Sequence, residues 1–94
     1  MQPSYAVYWN EGDGLRHAGR FDLEPDYAEL VGQARQGTRE LVRILFADIV
    51  SVRYRSGRVC VERRTQPPLE IGSVDAPGAL HELADRLQAA ALLV

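Results

Sequence analysis

Arginines are the clearest candidates for chemistry in this sequence. All eleven basic residues are arginine, and five of them fall within residues 51–66, where there is one acidic residue. Arg53 and Arg55 lie on the same side of a strand-like run, in alternation with Val52 and Tyr54. Arg58 follows a two-residue turn at 56–57. The predicted binding residues are Arg53, Arg55, Arg58, Arg63 and Arg64.

Guanidinium groups that converge on one face can bind phosphate, carboxylate or an acidic protein surface through forked hydrogen bonds. The alternative is a solvated outer strand face, on which arginines discourage pairing with another sheet edge. The spacing of the residues leaves both interpretations open, and it does not establish whether Arg63 and Arg64 join the other three arginines.

Tyr8 is a second candidate, for contact with a partner. Tyr5 and Trp9 project to the same side of the first alternating run, and Tyr8 projects to the opposite side. If Tyr5 and Trp9 face the core, Tyr8 is exposed and can anchor a partner. The alternative is an isolated surface tyrosine of no special role.

No other residues form a catalytic or metal-binding pattern. Cys60 is the only cysteine and His17 and His81 are the only histidines, so metal ligands at the usual spacing are lacking. No serine stands in a nucleophile elbow, and Gly12-Asp13-Gly14 lacks the lysine of a phosphate-binding loop. We therefore predict a non-enzyme without metal or cofactor. His17, on an apolar strand face, is interpreted as a core or rim residue, and His81 lies on the polar helix face.

Length and composition predict one small globular domain, spanning residues 1–94. A net charge of −2 disfavours nucleic acid as a partner. The first residues lack the basic start and long apolar stretch of a signal peptide, and the apolar run at 89–94 is too short to span a bilayer. A reduced, cytoplasmic setting is predicted. Because the same run is more apolar than an exposed tail, a homodimer is a further hypothesis.

Apolar residues alternate with polar ones through most of the chain, which predicts a mainly β (α+β) fold of seven antiparallel strands within residues 4–72. Leu15 and His17 are placed on the inner face of the second strand, and Val50, Val52 and Tyr54 on that of the fifth. The third strand is predicted to end at Gly32, before a polar loop at 33–38.

The period then changes to that of a helix, predicted at about residues 76–92. Asp75 is the predicted N-cap, Pro77 lies in the first turn, and Glu82 and Arg86 are spaced for an ion pair. The predicted apolar stripe consists of Leu80, Leu83, Ala84, Leu87 and Ala91. We expect this helix to cap a sandwich or barrel.

This order of elements resembles the pleckstrin-homology (PH) fold. The stretches at 43–49 and 50–54, the hairpin at 56–57 and the end at 75–87 are similar to short bacterial PH-like domains. The resemblance implies a binding or interaction module, often for phosphoinositides or peptides. Two features depart from this resemblance. Phosphoinositide-binding members carry basic residues on the first hairpin loop, whereas the loop at 10–14 is acidic here. The tryptophan common in the family's C-terminal helix is missing, since the only tryptophan, Trp9, lies in the first strand.

Three functions follow, in the order in which we rank them. The first is a module that binds a protein or peptide partner, for instance by strand addition at a sheet edge. The second is a binder of anionic ligands or of a membrane surface through the arginine face. The third is a small enzyme with an unrecognised site.

Overall fold

The computed structural model describes residues 4–34, 37, 39–74 and 77–93. In this part of the chain, seven strands form one sheet, curled into a half-barrel, and one C-terminal helix packs against it. The elements are β1 (Ser4–Glu11), β2 (His17–Leu23), β3 (Tyr27–Ala34), β4 (Arg39–Leu45), a short 3-10 helix (Phe46–Asp48), β5 (Ile49–Arg55), β6 (Arg58–Arg63), β7 (Leu69–Ser73) and α1 (Pro77–Leu92). The predicted fold class is confirmed.

The strand order is β4-β3-β2-β1-β7-β6-β5, and every neighbouring pair is antiparallel. β1 joins the two halves of the sheet, because it pairs with β2 on one side and with β7 on the other. In consequence β4 and β5, which are consecutive along the chain, lie at the two ends of the sheet.

Gly19 of β2 pairs with Gly32 of β3, and both glycines lie where a side chain would clash. A methyl group on Gly19 would lie 1.9 Å from the carbonyl oxygen of Val31, and one on Gly32 would lie 2.9 Å from the Trp9 ring. Only glycine permits this approach of the two strands over a buried tryptophan.

The helix covers the inner face of the half of the sheet that contains β5, β6 and β7. Leu80, Leu83 and Leu87 are at most 2% exposed, which confirms the predicted apolar stripe. Pro77 lies in the first turn of the helix and Glu82 pairs with Arg86, both as predicted. The predicted N-cap, Asp75, lies outside the described residues.

The inner face of β1 follows the predicted alternation, since Val7 and Trp9 are each 1% exposed. The predicted inward positions of Leu15 and Val50 were wrong. Leu15 is 74% exposed because the connection after β1 extends to Arg16 and β2 begins only at His17. Val50 is 53% exposed because a register shift between Ile49 and Ser51 turns it outward.

β3 does not end at Gly32: it continues to Ala34, which pairs with His17. The predicted loop at 33–38 therefore begins later than expected, and residues 35, 36 and 38 of it lie outside the described part of the chain. No helix among the described residues has the length and apolar character needed to cross a bilayer.

Candidate functional site

Three of the predicted arginines meet at the tip of the β5–β6 hairpin. Ser56 and Gly57 adopt φ values of 52° and 76°, as the two central residues of a type I′ turn do. The turn places Arg55 opposite Arg58, and Arg53 opposite Cys60. Because these side chains alternate with inward residues, all three guanidinium groups project from the outer face of the sheet.

The three arginines differ in their partners. The Arg58 guanidinium lies 3.7 Å from the Glu70 carboxylate of β7, so part of its charge is balanced. Arg53 and Arg55 are exposed, and neither forms an ion pair or a side-chain hydrogen bond within the described residues. Their charges are the ones available to a ligand.

Arg63 does not join this cluster. It follows Val59 and Val61 onto the inner face of β6, and its side chain is only 2% exposed. Its guanidinium donates hydrogen bonds to the Glu11 carboxylate at 2.5 Å and to the Pro67 carbonyl at 2.6 Å. The pair ties the end of β1 to the β6–β7 loop, because a buried charge requires such partners.

Arg64 is also separate from the hairpin tip. Its side chain is exposed, and its Nε lies 3.5 Å from the Ala47 carbonyl oxygen in the 3-10 helix. This end of β6 is opposite to the 56–57 turn. The predicted set of five arginines therefore divides into an outer cluster of three, one buried residue and one at the base of the hairpin.

Tyr8 lies on the outer face in the same row of cross-strand neighbours as Arg55 and Arg58. It pairs with Gly72 of β7, and its ring extends over that glycine: a methyl group there would be 2.2 Å from Cζ of Tyr8. Continued by one residue, the β6–β7 register places Arg58 opposite Gly72. The Arg16 guanidinium covers the Tyr8 ring, 4.6 Å from its centroid. Tyr8 is thus half-buried and held in place.

The free edge of β5 is a site that the residue types alone did not reveal. In a two-residue hairpin the residues that flank the turn form a hydrogen-bonded pair, and such pairs then alternate along the strands. Arg55 and Arg53 therefore bond to β6, whereas Val52 and Tyr54 direct their backbone N–H and C=O groups away from it. No other described strand pairs with this edge.

A groove of about 420 Å³ lies along this edge, between β5 and the C-terminal half of α1. Val50 and Leu92, which are 53% and 80% exposed, contribute apolar surface on either side. The lining residues are Ile49, Val50, Ser51, Val52, Arg53, Gln88, Ala91 and Leu92. The lining contains one charged side chain, that of Arg53, and no carboxylate.

Aromatic contacts fix the helix beside the sheet. The His81 ring, predicted to face solvent, is exposed but stacks on Tyr54 of β5 with 3.8 Å between centroids. The Tyr5 hydroxyl donates to the Glu82 carboxylate at 2.8 Å. Burial and this hydrogen bond raise the pKa of Tyr5 to about 12.

His17 lies at the rim of the sheet, as predicted. Its ring stacks on that of Trp9 with 5.2 Å between centroids, and the residue is partly exposed.

The edge of β4 borders a cavity of about 320 Å³ with a different character. Three carboxylates line it, those of Glu11, Glu40 and Asp48, together with the buried guanidinium of Arg63. The Asp48 carboxylate accepts hydrogen bonds from the backbone N–H and the hydroxyl of Thr65. Within the described residues, no group of three or more potential ligands is arranged to hold a metal ion.

No protein-family model and no curated protein matches the sequence. Among solved structures, the crystal structure of the C-terminal domain of an unknown protein from Leishmania infantum is similar in fold. The similarity covers 90% of this chain and 81% of that chain, with a TM-score of 0.65 and 14% sequence identity. This likeness shows the fold alone, and membership of the pleckstrin-homology family stays a prediction.

Proposed function

We propose that the domain binds an extended peptide segment of a protein partner by adding it as a strand to the edge of β5. The observation that carries the proposal is the groove between that edge and α1. The edge presents unpaired backbone groups of Val52 and Tyr54, and the helix provides an apolar wall from Ala91 and Leu92. Catalysis plays no part in the proposed function.

Main-chain hydrogen bonds supply part of the affinity in strand addition, and side-chain pockets supply specificity. Each such hydrogen bond contributes about 0.5–1.5 kcal/mol net. The register shift at Val50 disturbs the first part of β5, so the pairing segment is limited to residues 51–55. A short edge and a shallow groove favour a reversible complex, with a dissociation constant on the order of micromolar.

A displayed library of random peptides, selected against the immobilised domain, tests this proposal. Each selected peptide is then synthesised in two N-methylated forms, one methylated at the odd residues and one at the even residues. A strand added to a single edge pairs through every second N–H, so one form should lose binding and the other should retain it. Equal binding of both forms, or the absence of any selected peptide, would contradict strand addition.

Binding to an anionic surface is the second candidate, favoured by the exposed and unpaired side chains of Arg53 and Arg55. Its test is co-sedimentation with vesicles of increasing phosphatidylserine content, at low and moderate salt. If this candidate is correct, binding is salt-sensitive and is lost in Arg53→Glu/Arg55→Glu. The absence of vesicle binding at either salt concentration would exclude it. The cytoplasmic location and the homodimer remain predictions.

A further inference from the structure

We infer that the segment bound at the β5 edge alternates acidic and apolar residues, with two acidic side chains beside Arg53 and Arg55 and apolar side chains in the groove. This inference rests on the proposed function, because it assigns the chemistry of the strand that the edge accepts. Its basis is the alternation of β5 itself, which carries its arginines and its core residues on opposite faces.

A strand added to a sheet continues the pleat of its neighbour. Side chains directly opposite each other then lie on the same face, with their Cβ atoms about 4.5–5.5 Å apart. Outward residues of the added segment therefore come to lie beside Ser51, Arg53 and Arg55. Inward residues come to lie beside Val52, which lines the groove, and beside Tyr54, whose ring stacks on His81.

The outward positions favour two acids and not three. Arg53 and Arg55 have no ion-pair partner among the described residues, and opposite charges across neighbouring strands stabilise the pair. Ser51 carries no charge, and its partner on β6 is the exposed acid Glu62. A carboxylate at the third position would be close to a like charge, so a neutral residue fits there.

The inward positions favour apolar residues. The groove is lined by Val52 and, from the helix, by Ala91 and Leu92, with Gln88 as the one polar residue that the helix contributes. The one charged group in the lining, the Arg53 guanidinium, is assigned to an outward acid, so a charged side chain placed in the groove would lose water without a partner of its own. Opposite residues 55 to 51 of β5, the expected pattern is acid, apolar, acid, apolar, neutral, with the added segment running in either chain direction.

Three fluorescent peptides with blocked ends test the pattern by anisotropy. The first is Glu-Val-Glu-Val-Thr-Val, the second has the same composition with the two glutamates adjacent, and the third replaces both glutamates with lysine. We expect the first to bind roughly tenfold more tightly than either of the others, from two exposed ion pairs. The advantage over the lysine peptide should shrink as salt rises.

The charge-reversed variant Arg53→Glu/Arg55→Glu should prefer the lysine peptide. The control is Arg39→Glu/Arg64→Glu, which makes the same change of charge at two exposed arginines outside the 51–55 segment, neither of them ion-paired within the described residues. It should keep the preference for glutamate. Equal binding of all three peptides, or a preference that survives reversal at 53 and 55, overturns the inference.

The two proposals fail in different ways. If library peptides show the N-methylation dependence and protect the amides of Val52 and Tyr54 but show no alternation of acids, the inference on chemistry is wrong and strand addition stands. If the glutamate peptide binds without any dependence on which residues are N-methylated, strand addition itself is wrong.

Discussion

The two edges of the curled sheet have similar sequences and different surroundings. Each edge strand carries two outward arginines, Arg39 and Arg43 on β4 and Arg53 and Arg55 on β5; on β4, Leu41 and Leu45 share that outward face and are 57% and 55% exposed. Yet Arg43 of β4 is occupied, because it donates to the Glu29 carboxylate at 3.0 Å and lies 4.3 Å from the Tyr27 ring centroid. The neighbouring strand, and not the edge strand itself, decides which arginine is free.

The space beside each edge differs as well. β4 borders a cavity lined by three carboxylates and by the guanidinium groups of Arg43 and Arg63, both of which are already ion-paired. An acidic segment would find no unpaired cation in that cavity. β5 borders the helix, whose apolar end lies beside unpaired backbone groups. A free edge becomes a binding site only where adjacent elements supply complementary charge and apolar surface, and in the described part of the molecule β5 meets that condition better.

The largest expected effect comes from loosening the helix that forms the β5 groove. Leu87→Ala removes a side chain that is 0% exposed and should lower the free energy of unfolding by about 2–5 kcal/mol. The control is Leu41→Ala on β4, which is 57% exposed and should change that free energy by less than about 0.5 kcal/mol. Urea denaturation measures both free energies. Equal losses of stability would contradict the expected difference between the helix packed beside β5 and the exposed face of β4.

The ion pair between Arg63 and Glu11, which lines the cavity beside β4, should give the next largest effect. Arg63→Ala leaves the Glu11 carboxylate and the Pro67 carbonyl without their donor, and it should cost about 2–3 kcal/mol because Glu11 keeps some contact with water. Glu11→Ala/Arg63→Ala should cost less than the sum of the single changes. Additive losses in urea denaturation would show that the two residues act independently.

A smaller effect is expected at the row that contains Tyr8. Gly72→Ala places a methyl group 2.2 Å from the Tyr8 ring and should cost about 1–3 kcal/mol. Gly78→Ala is the control, since nothing lies within 4 Å of its added methyl group. In the Tyr8→Ala background, Gly72→Ala should lose most of its cost. If the cost persists there, the ring is not what fills the space over β7.

The smallest effect concerns the hydrogen bond from Tyr5 to Glu82. The pKa of Tyr5 is raised from 10.0 to about 12 in the folded protein, so folding favours the protonated phenol. Its contribution to stability is present below about pH 10 and is lost as the pH rises towards about 12. Unfolding measured from about pH 9 to 12 should show a steeper loss for the wild type than for Tyr5→Phe. Parallel curves would contradict the raised pKa.

Local patterns predicted much of the fold. Alternation placed Val7 and Trp9 inside, helical spacing placed Leu83 and Leu87 against the sheet, and the 56–57 turn brought Arg55 and Arg58 together. These features depend on neighbours in sequence, which is why the residue types were sufficient.

The sequence did not identify the site itself, for physical reasons. Which strand lies at the end of the sheet depends on the long-range pairing of β1 with β7, which no local pattern encodes. The inward position of Arg63 depends on Glu11, which is 52 residues away in the chain. The exposure of Val50 follows from a register shift between paired strands, which is likewise a property of two strands and not of one.

The most direct test of strand addition at β5 is amide hydrogen exchange, measured by NMR with and without a peptide selected against the domain. We expect the N–H groups of Val52 and Tyr54 to become protected on binding, while those of β4 exchange as before. Protection confined to β4, or unchanged exchange at Val52 and Tyr54 in the saturated complex, would contradict strand addition at β5.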